Sequence, residues 1–170
     1  MECYVASALK SVGEVFPFTV TELLNPQEYG GGTVKFAEPL TVEGTYTFDG
    51  EAFLLTAKAK TVLSSACARC GEPFLEPLEF EISERFIRAM DCGDAEDCYC
   101  YSGDRLIITD AVMDNLYLHL PIISVCKPDC KGLCPTCGIN QNFAVCDCAS
   151  SAKQNPFSAL EALCIDNKEV

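Results

Sequence analysis

The stretch CKPDCKGLCPTCGINQNFAVCDC, Cys126–Cys148, carries six of the thirteen cysteines of this 170-residue chain. Their spacing is C-x3-C-x3-C-x2-C-x8-C-x-C. Thiols at such density serve as disulfides, as redox centres or as metal ligands. A free cysteine also packs as a small apolar residue, but six of them among Lys, Asp, Pro and Gly do not read as a core segment. The central element, Cys134-Pro-Thr-Cys137-Gly138, makes a tight turn in which both sulfurs face one ion. Backbone N–H groups then donate to the sulfurs, and the glycine supplies the left-handed conformation that such a turn requires. Four thiolates in tetrahedral geometry suit zinc, with an iron–sulfur cluster as the main metal alternative.

One ion takes four ligands and this stretch offers six: Cys126, Cys130, Cys134, Cys137, Cys146 and Cys148. Cys134 and Cys137 are the firmest pair. The other two come from Cys146 and Cys148 or from Cys126 and Cys130, unless all six hold a two-zinc cluster with bridging sulfurs. Lys127 and Lys131 lie between candidate ligands and offset thiolate charge. A second C-x2-C-G, Cys67-Ala-Arg-Cys70-Gly71, lies upstream. It reads as a redox dithiol, as a plain turn, or as half of a second metal site. That site is completed by Cys98 and Cys100 or by the spare C-terminal pair.

The elements that position these residues are mainly strands. Val12–Val20 and Thr33–Phe36 are rich in β-branched and aromatic residues. Alternation at Val42, Gly44, Tyr46 and Phe48 runs into Asp49-Gly50, a hairpin turn signal. Leu78, Phe80, Ile82, Glu84 and Phe86 share a face of another strand; Glu84 spoils that face unless it lies at a strand end. Ser102-Gly103 divides a further strand pair. Thr109 or Asp110 caps a short helix bearing Val112, Leu116 and Leu120, stopped by Pro121. Asn155 and Pro156 open a last helix with Phe157, Leu160, Leu163 and Cys164 as its stripe. The expectation is an α+β, mostly β protein: an antiparallel sheet or partly open barrel with two short helices. Residues 1–122 form the β-rich domain, and residues 123–170 a Cys-rich zinc-knuckle segment with the C-terminal helix packed on it.

Composition sets bounds on function. At 49% hydrophobic and 22% charged residues the chain is globular. No run reaches the length of a membrane span, and no signal-peptide pattern opens the sequence, so a cytoplasmic address is expected. In that reducing compartment an odd cysteine count argues against a disulfide framework. A net charge of −13, from 25 acidic and 12 basic residues, opposes a phosphate backbone and favours a basic protein partner. An enzyme is disfavoured. The one histidine, His119, sits among leucines at a helix end. Glu79, Glu81 and Glu84 read as a solvated face, and Gly30-Gly31-Gly32 lacks the strand and helix of a phosphate loop.

In the order Cys67-Ala-Arg69-Cys70, Leu118–Pro121, CKGLCPTCG, CDC and NPFSALEAL, the chain resembles the YceD family of large ribosomal RNA subunit accumulation proteins. The resemblance covers most of the chain. It implies a small non-catalytic factor that supports synthesis or accumulation of large-subunit ribosomal RNA. Cys67, Arg69 and Cys70 match the family's first motif, and the six C-terminal cysteines its second. Some relatives lack the second cluster, so here metal stabilises the C-terminal segment rather than carrying the shared activity. Cys92, Cys98 and Cys100 depart from the pattern, which leaves open a second site at Cys67, Cys70, Cys98 and Cys100. The partner expected is a basic ribosomal protein or large-subunit assembly intermediate, bound by a monomer or weak dimer. The alternatives are a redox switch at Cys67/Cys70 and direct RNA binding through Arg69, Lys127 and Lys131.

Overall fold

The computed structural model describes residues 1–29, 32–92 and 99–150. Gly30, Gly31, Cys98 and the predicted helix after Asn155 lie outside the described residues. The chain divides into two compact units: Met1–Ala68 with Glu72–Cys126, and Arg69–Gly71 with the chain from Lys127 onward.

The first unit is built on one long hairpin. β5 (Leu40–Phe48) turns through Asp49-Gly50 into β6 (Ala52–Ala66), and β6 pairs along its full length with β7 (Pro73–Arg88). Asp49 fixes the first turn: its Oδ1 accepts N–H bonds from Glu51 and Ala52 at 2.8 and 2.7 Å, and Gly50 takes φ +105°. β2 (Val15–Glu22) extends the sheet beyond β5. β4 (Gly32–Phe36) meets the end of β6 and carries β3 (Gln27–Tyr29). β8 (Tyr99–Tyr101) lies parallel to the end of β7, the one parallel pair in an otherwise antiparallel arrangement of the described strands. β1 (Glu2–Tyr4) and β9 (Arg105–Ile107) form a separate two-stranded sheet.

Among the described residues β2 pairs only with β5 and β3 only with β4, so the sheet is open and not a closed barrel. The predicted strands flanking Ser102-Gly103 exist, with Gly103 at φ +67°, but they join different sheets and are linked by an isolated Ser102–Arg105 bridge rather than a ladder.

The alternation of β6 decides the layers. Phe53, Leu55, Ala57, Ala59 and Leu63 are buried on one face, while Lys58 and Lys60 face solvent. Phe80, Ile82 and Phe86 of β7 continue the buried face. α1 (Thr109–His119) covers it with Ala111, Val112 and Leu116. Glu84 lies on this inner face in mid-strand rather than at a strand end, and the structure satisfies it there. Asn115 of α1 donates to its Oε1 at 2.6 Å. On the outer face Lys58 pairs with Glu81 at 3.2 Å and Lys60 with Glu79 at 3.6 Å. Exposed pairs like these contribute about 0–1 kcal/mol; their effect is to neutralise that face.

Two local expectations change. Ile108, not Thr109 or Asp110, flanks the start of α1, and its hydrocarbon side chain makes no cap bond; the Thr109 hydroxyl, inside the first turn, is engaged with Met1. Only one α-helix occurs among the described residues, where two were expected across the whole chain. Leu120, in front of Pro121, is extended at φ −60°, ψ 135°, as a residue before proline prefers.

Candidate metal centre

Eight cysteines assemble into two groups of four. In the first, Cys67, Cys70, Cys126 and Cys130 place their sulfurs within 4.8 Å of one another. In the second, Cys134, Cys137, Cys146 and Cys148 do the same. None of the eight is disulfide-bonded. Tetrahedral zinc with Zn–S bonds near 2.3 Å needs sulfurs about 3.8 Å apart. Each set therefore closes on an ion with a contraction of at most about 1 Å. Both groups could hold a metal ion.

Local sequence makes the sulfur-bearing turns. β6 ends at Ala66, and the chain reverses through Cys67–Gly71 into β7. Gly71 sits at φ +75°, and the Cys67 N–H donates to Glu72 O at 2.9 Å. In the second group Leu133 and Asn140 form an antiparallel bridge around the Cys134–Cys137 turn. The Cys134 N–H donates to Ile139 O at 2.8 Å, and the Gly138 N–H returns to Cys134 O at 2.9 Å with φ +73°. Cys148 stands in a short 3-10 turn, Asp147–Ser150.

The electrostatics of the second group show what a cation would relieve. N–H donation from Cys137 and Thr136 pulls the Cys134 thiol down to about 6. Cys148 is pushed up to about 12, first by its hydrogen bond to the Cys137 sulfur and then by burial. One sulfur ionises readily and a neighbour resists, as expected of thiols that cannot all charge together without a metal.

Arg69, inside the first turn, organises the loop that bears Cys130. Its Nη1 donates to Pro128 O and Cys130 O, each at 3.1 Å, and its own carbonyl accepts the Leu133 N–H at 3.1 Å. Gly132 passes so close that a Cβ there would lie 3.0 Å from Arg69 O. Asn142 then ties this loop to the knuckle. Its Nδ2 donates to Cys130 Sγ at 3.3 Å and to Asn140 Oδ1 at 2.8 Å, while its Oδ1 accepts the Lys131 N–H at 3.0 Å. Cysteine spacing does not point to Asn140 and Asn142; the signal for them is an Asn-x-Asn directly after the knuckle, a residue type that bonds nearby backbone.

The second site built on Cys98 and Cys100 is corrected at Cys100. That residue is joined to Cys92 in a disulfide with Cα atoms 6.0 Å apart, and Cys98 lies outside the described residues. A single disulfide of this kind is not the framework that the odd cysteine count argues against. The cause is register: β8 pairs Cys100 with Ile87, near the Arg88 end of β7. The Cys67 turn adjoins the opposite end, where Ala66 pairs with Pro73. Sixteen residues of strand separate those ends by about 50 Å. His119 closes α1, bonded through Nδ1 to Asn115 O at 2.8 Å and stacked on Phe80 at 5.3 Å.

A family model for the large ribosomal RNA subunit accumulation protein YceD matches residues 55–164, more than half of the chain. The chain belongs to the YceD family. An uncharacterized protein of Mycobacterium tuberculosis is 33% identical over 52% of this chain and 45% of its own length. The chloroplastic large ribosomal RNA subunit accumulation protein YCED homolog 1 is 29% identical in Zea mays, over 52% of this chain and 41% of the relative. Its Arabidopsis thaliana counterpart is 27% identical, over 59% and 41%. The matches thus span under half the length of these relatives. No solved structure matches the chain. The YceD match takes in both C-x2-C-G turns and all eight grouped cysteines. No helix among the described residues is long and apolar enough to cross a membrane.

Proposed function

We propose that this YceD-family chain is a non-catalytic, cytoplasmic ribosome-biogenesis factor that supports synthesis or accumulation of large-subunit ribosomal RNA. It does so by binding a basic partner, a ribosomal protein or an assembly intermediate, and two structural zinc ions fix its cysteine-bearing loops. Family membership is the observation that carries the ribosomal role. The paired four-sulfur geometry supports zinc, which forms such sites without redox chemistry. The net charge of −13 supports a basic partner. Glu79 and Glu81 are neutralised by lysines, so the docking charge comes from other acids.

The alternatives lose support at named residues. Arg69, a candidate for RNA contact, is committed to two loop carbonyls. Cys67 and Cys70, the candidate redox pair, are buried beside two further sulfurs.

The test is genetic and biochemical. Removing the protein from its host should lower large-subunit relative to small-subunit ribosomal RNA, with wild-type expression restoring the ratio. Crosslinking of the tagged full chain should recover a basic ribosomal protein whose capture weakens as salt rises. An unchanged RNA ratio would refute the ribosomal role, and recovery of RNA without protein would refute the partner class.

A further inference from the structure

The two four-sulfur groups differ in their openness to solvent. In the first, Cys67, Cys70 and Cys130 are buried and Cys126 is half-buried. In the second, Cys137 is exposed and Cys146 and Cys148 are half-buried, leaving only Cys134 buried. A cavity of about 490 Å³ opens beside this second group, and Cys134, Cys146 and Cys148 all line it. Pro135 and Val145 give it apolar walls, and Lys131 adds a cationic side chain. Small solutes thus have an approach to these sulfurs from more than one side.

We propose that the Cys134, Cys137, Cys146 and Cys148 group is a site of oxidative modification by hydroperoxides, and that its oxidation releases its metal while the first group keeps its own. The proposal rests on the metal reading above. Reactivity of cysteine toward peroxide follows exposure and thiolate character, and a metal-bound thiolate is already deprotonated. A sulfur of the group attacks the peroxide; the O–O bond breaks, one oxygen leaves as water after taking a proton, and a sulfenic acid remains. A second sulfur of the group displaces the hydroxyl, which also leaves as water, and an S–S bond forms. Two thiolates have lost two electrons in all, and hydrogen peroxide has taken up those electrons and two protons to give two waters. With two ligands gone the dication departs, and the remaining two thiolates each take up a proton. Cys134 and Cys137, adjacent in one turn, are the pair placed to close the disulfide.

The experiment uses the purified full chain, its metal counted beforehand. Hydrogen peroxide is added in the presence of a chromophoric chelator, and disulfides are mapped by peptide mass spectrometry. The expected result is release of one ion of two, at least about tenfold faster than the second. The new disulfide should fall within the second group, with Cys67, Cys70, Cys126 and Cys130 still reduced. Simultaneous loss of both ions, or earlier oxidation of Cys67 and Cys70, overturns the proposal. A chain isolated without metal refutes the metal reading separately. N-ethylmaleimide labelling of that chain then decides openness: Cys137 labelled first supports the accessibility difference, and Cys67 or Cys70 labelled first overturns it.

Discussion

Replacing Arg69 by alanine tests whether this side chain holds the Cys130 loop ready for metal. One guanidinium nitrogen donates to Pro128 O and Cys130 O at 3.1 Å each. Hydrogen bonds from a charged group contribute about 1.5–3 kcal/mol when buried. Arg69 is exposed, so solvent discounts the pair to about 1–2 kcal/mol together. Metal binding is coupled to ordering of the ligand loop, so this loss appears as affinity. At 1.4 kcal/mol per tenfold, Arg69→Ala should weaken the Cys67 group's affinity for zinc by about 5- to 30-fold. The Cys134 group, whose ligands all lie within Cys134–Cys148, should change little. Arg69→Lys keeps the charge but loses the planar fork and should fall between the two. Stepwise competition against a chromophoric chelator reads both sites, with Cys134→Ser and Cys137→Ser isolating the first. Affinity unchanged in Arg69→Ala, or an equal fall at both groups, would refute the reasoning.

Three further expectations follow from local geometry. Gly44 faces Ala57 across the β5–β6 ladder, and a methyl there would lie 2.5 Å from Ala57 Cα as well as against Thr56 O. Gly44→Ala should therefore cost about 1–3 kcal/mol or more, seen as a lower melting temperature at unchanged metal content. Asn142→Ala removes a donor to Cys130 Sγ and the acceptor for the Lys131 N–H; zinc affinity of the Cys67 group should drop about three- to tenfold in chelator competition. The Asp49 carboxyl is held below its ordinary 3.8 chiefly by the Ala52 and then the Glu51 N–H groups. Its folded value is depressed, so its stabilisation is present above 3.8 and fades as pH falls below it. The urea-midpoint gap between wild type and Asp49→Ala should accordingly be largest near neutrality and shrink on acidification.

What could be read in the sequence was what depends on near neighbours. Alternation along Leu40–Phe48 and Ala52–Ala66 and the Asp49-Gly50 turn marked the central hairpin, because one strand face is buried and the other wet. The three-residue strands β1 and β3 carry no periodicity to detect; β1 exists through its pairing with β9, about a hundred residues away. Glu84 looked like a pattern break because its partner, Asn115, lies on a helix that arrives later. The same division runs through the metal centre. Each C-x2-C-G turn is a local structure with its own glycine at positive φ, so both stood out. Which pair joins which turn is a question of contacts distant in sequence, and spacing alone leaves Cys146/Cys148 and Cys126/Cys130 as equal candidates. The Cys92–Cys100 pairing depends on the parallel docking of β8, which alternation cannot reveal.

Elemental analysis with thiol counting, on full chain purified without added metal or a chelating column, tests the account most directly. Two zinc ions per chain are predicted, with the eight grouped thiols protected until the protein is unfolded. A folded, metal-free chain whose eight thiols titrate at once would contradict the two-site account, and bound iron with sulfide would replace zinc with a cluster.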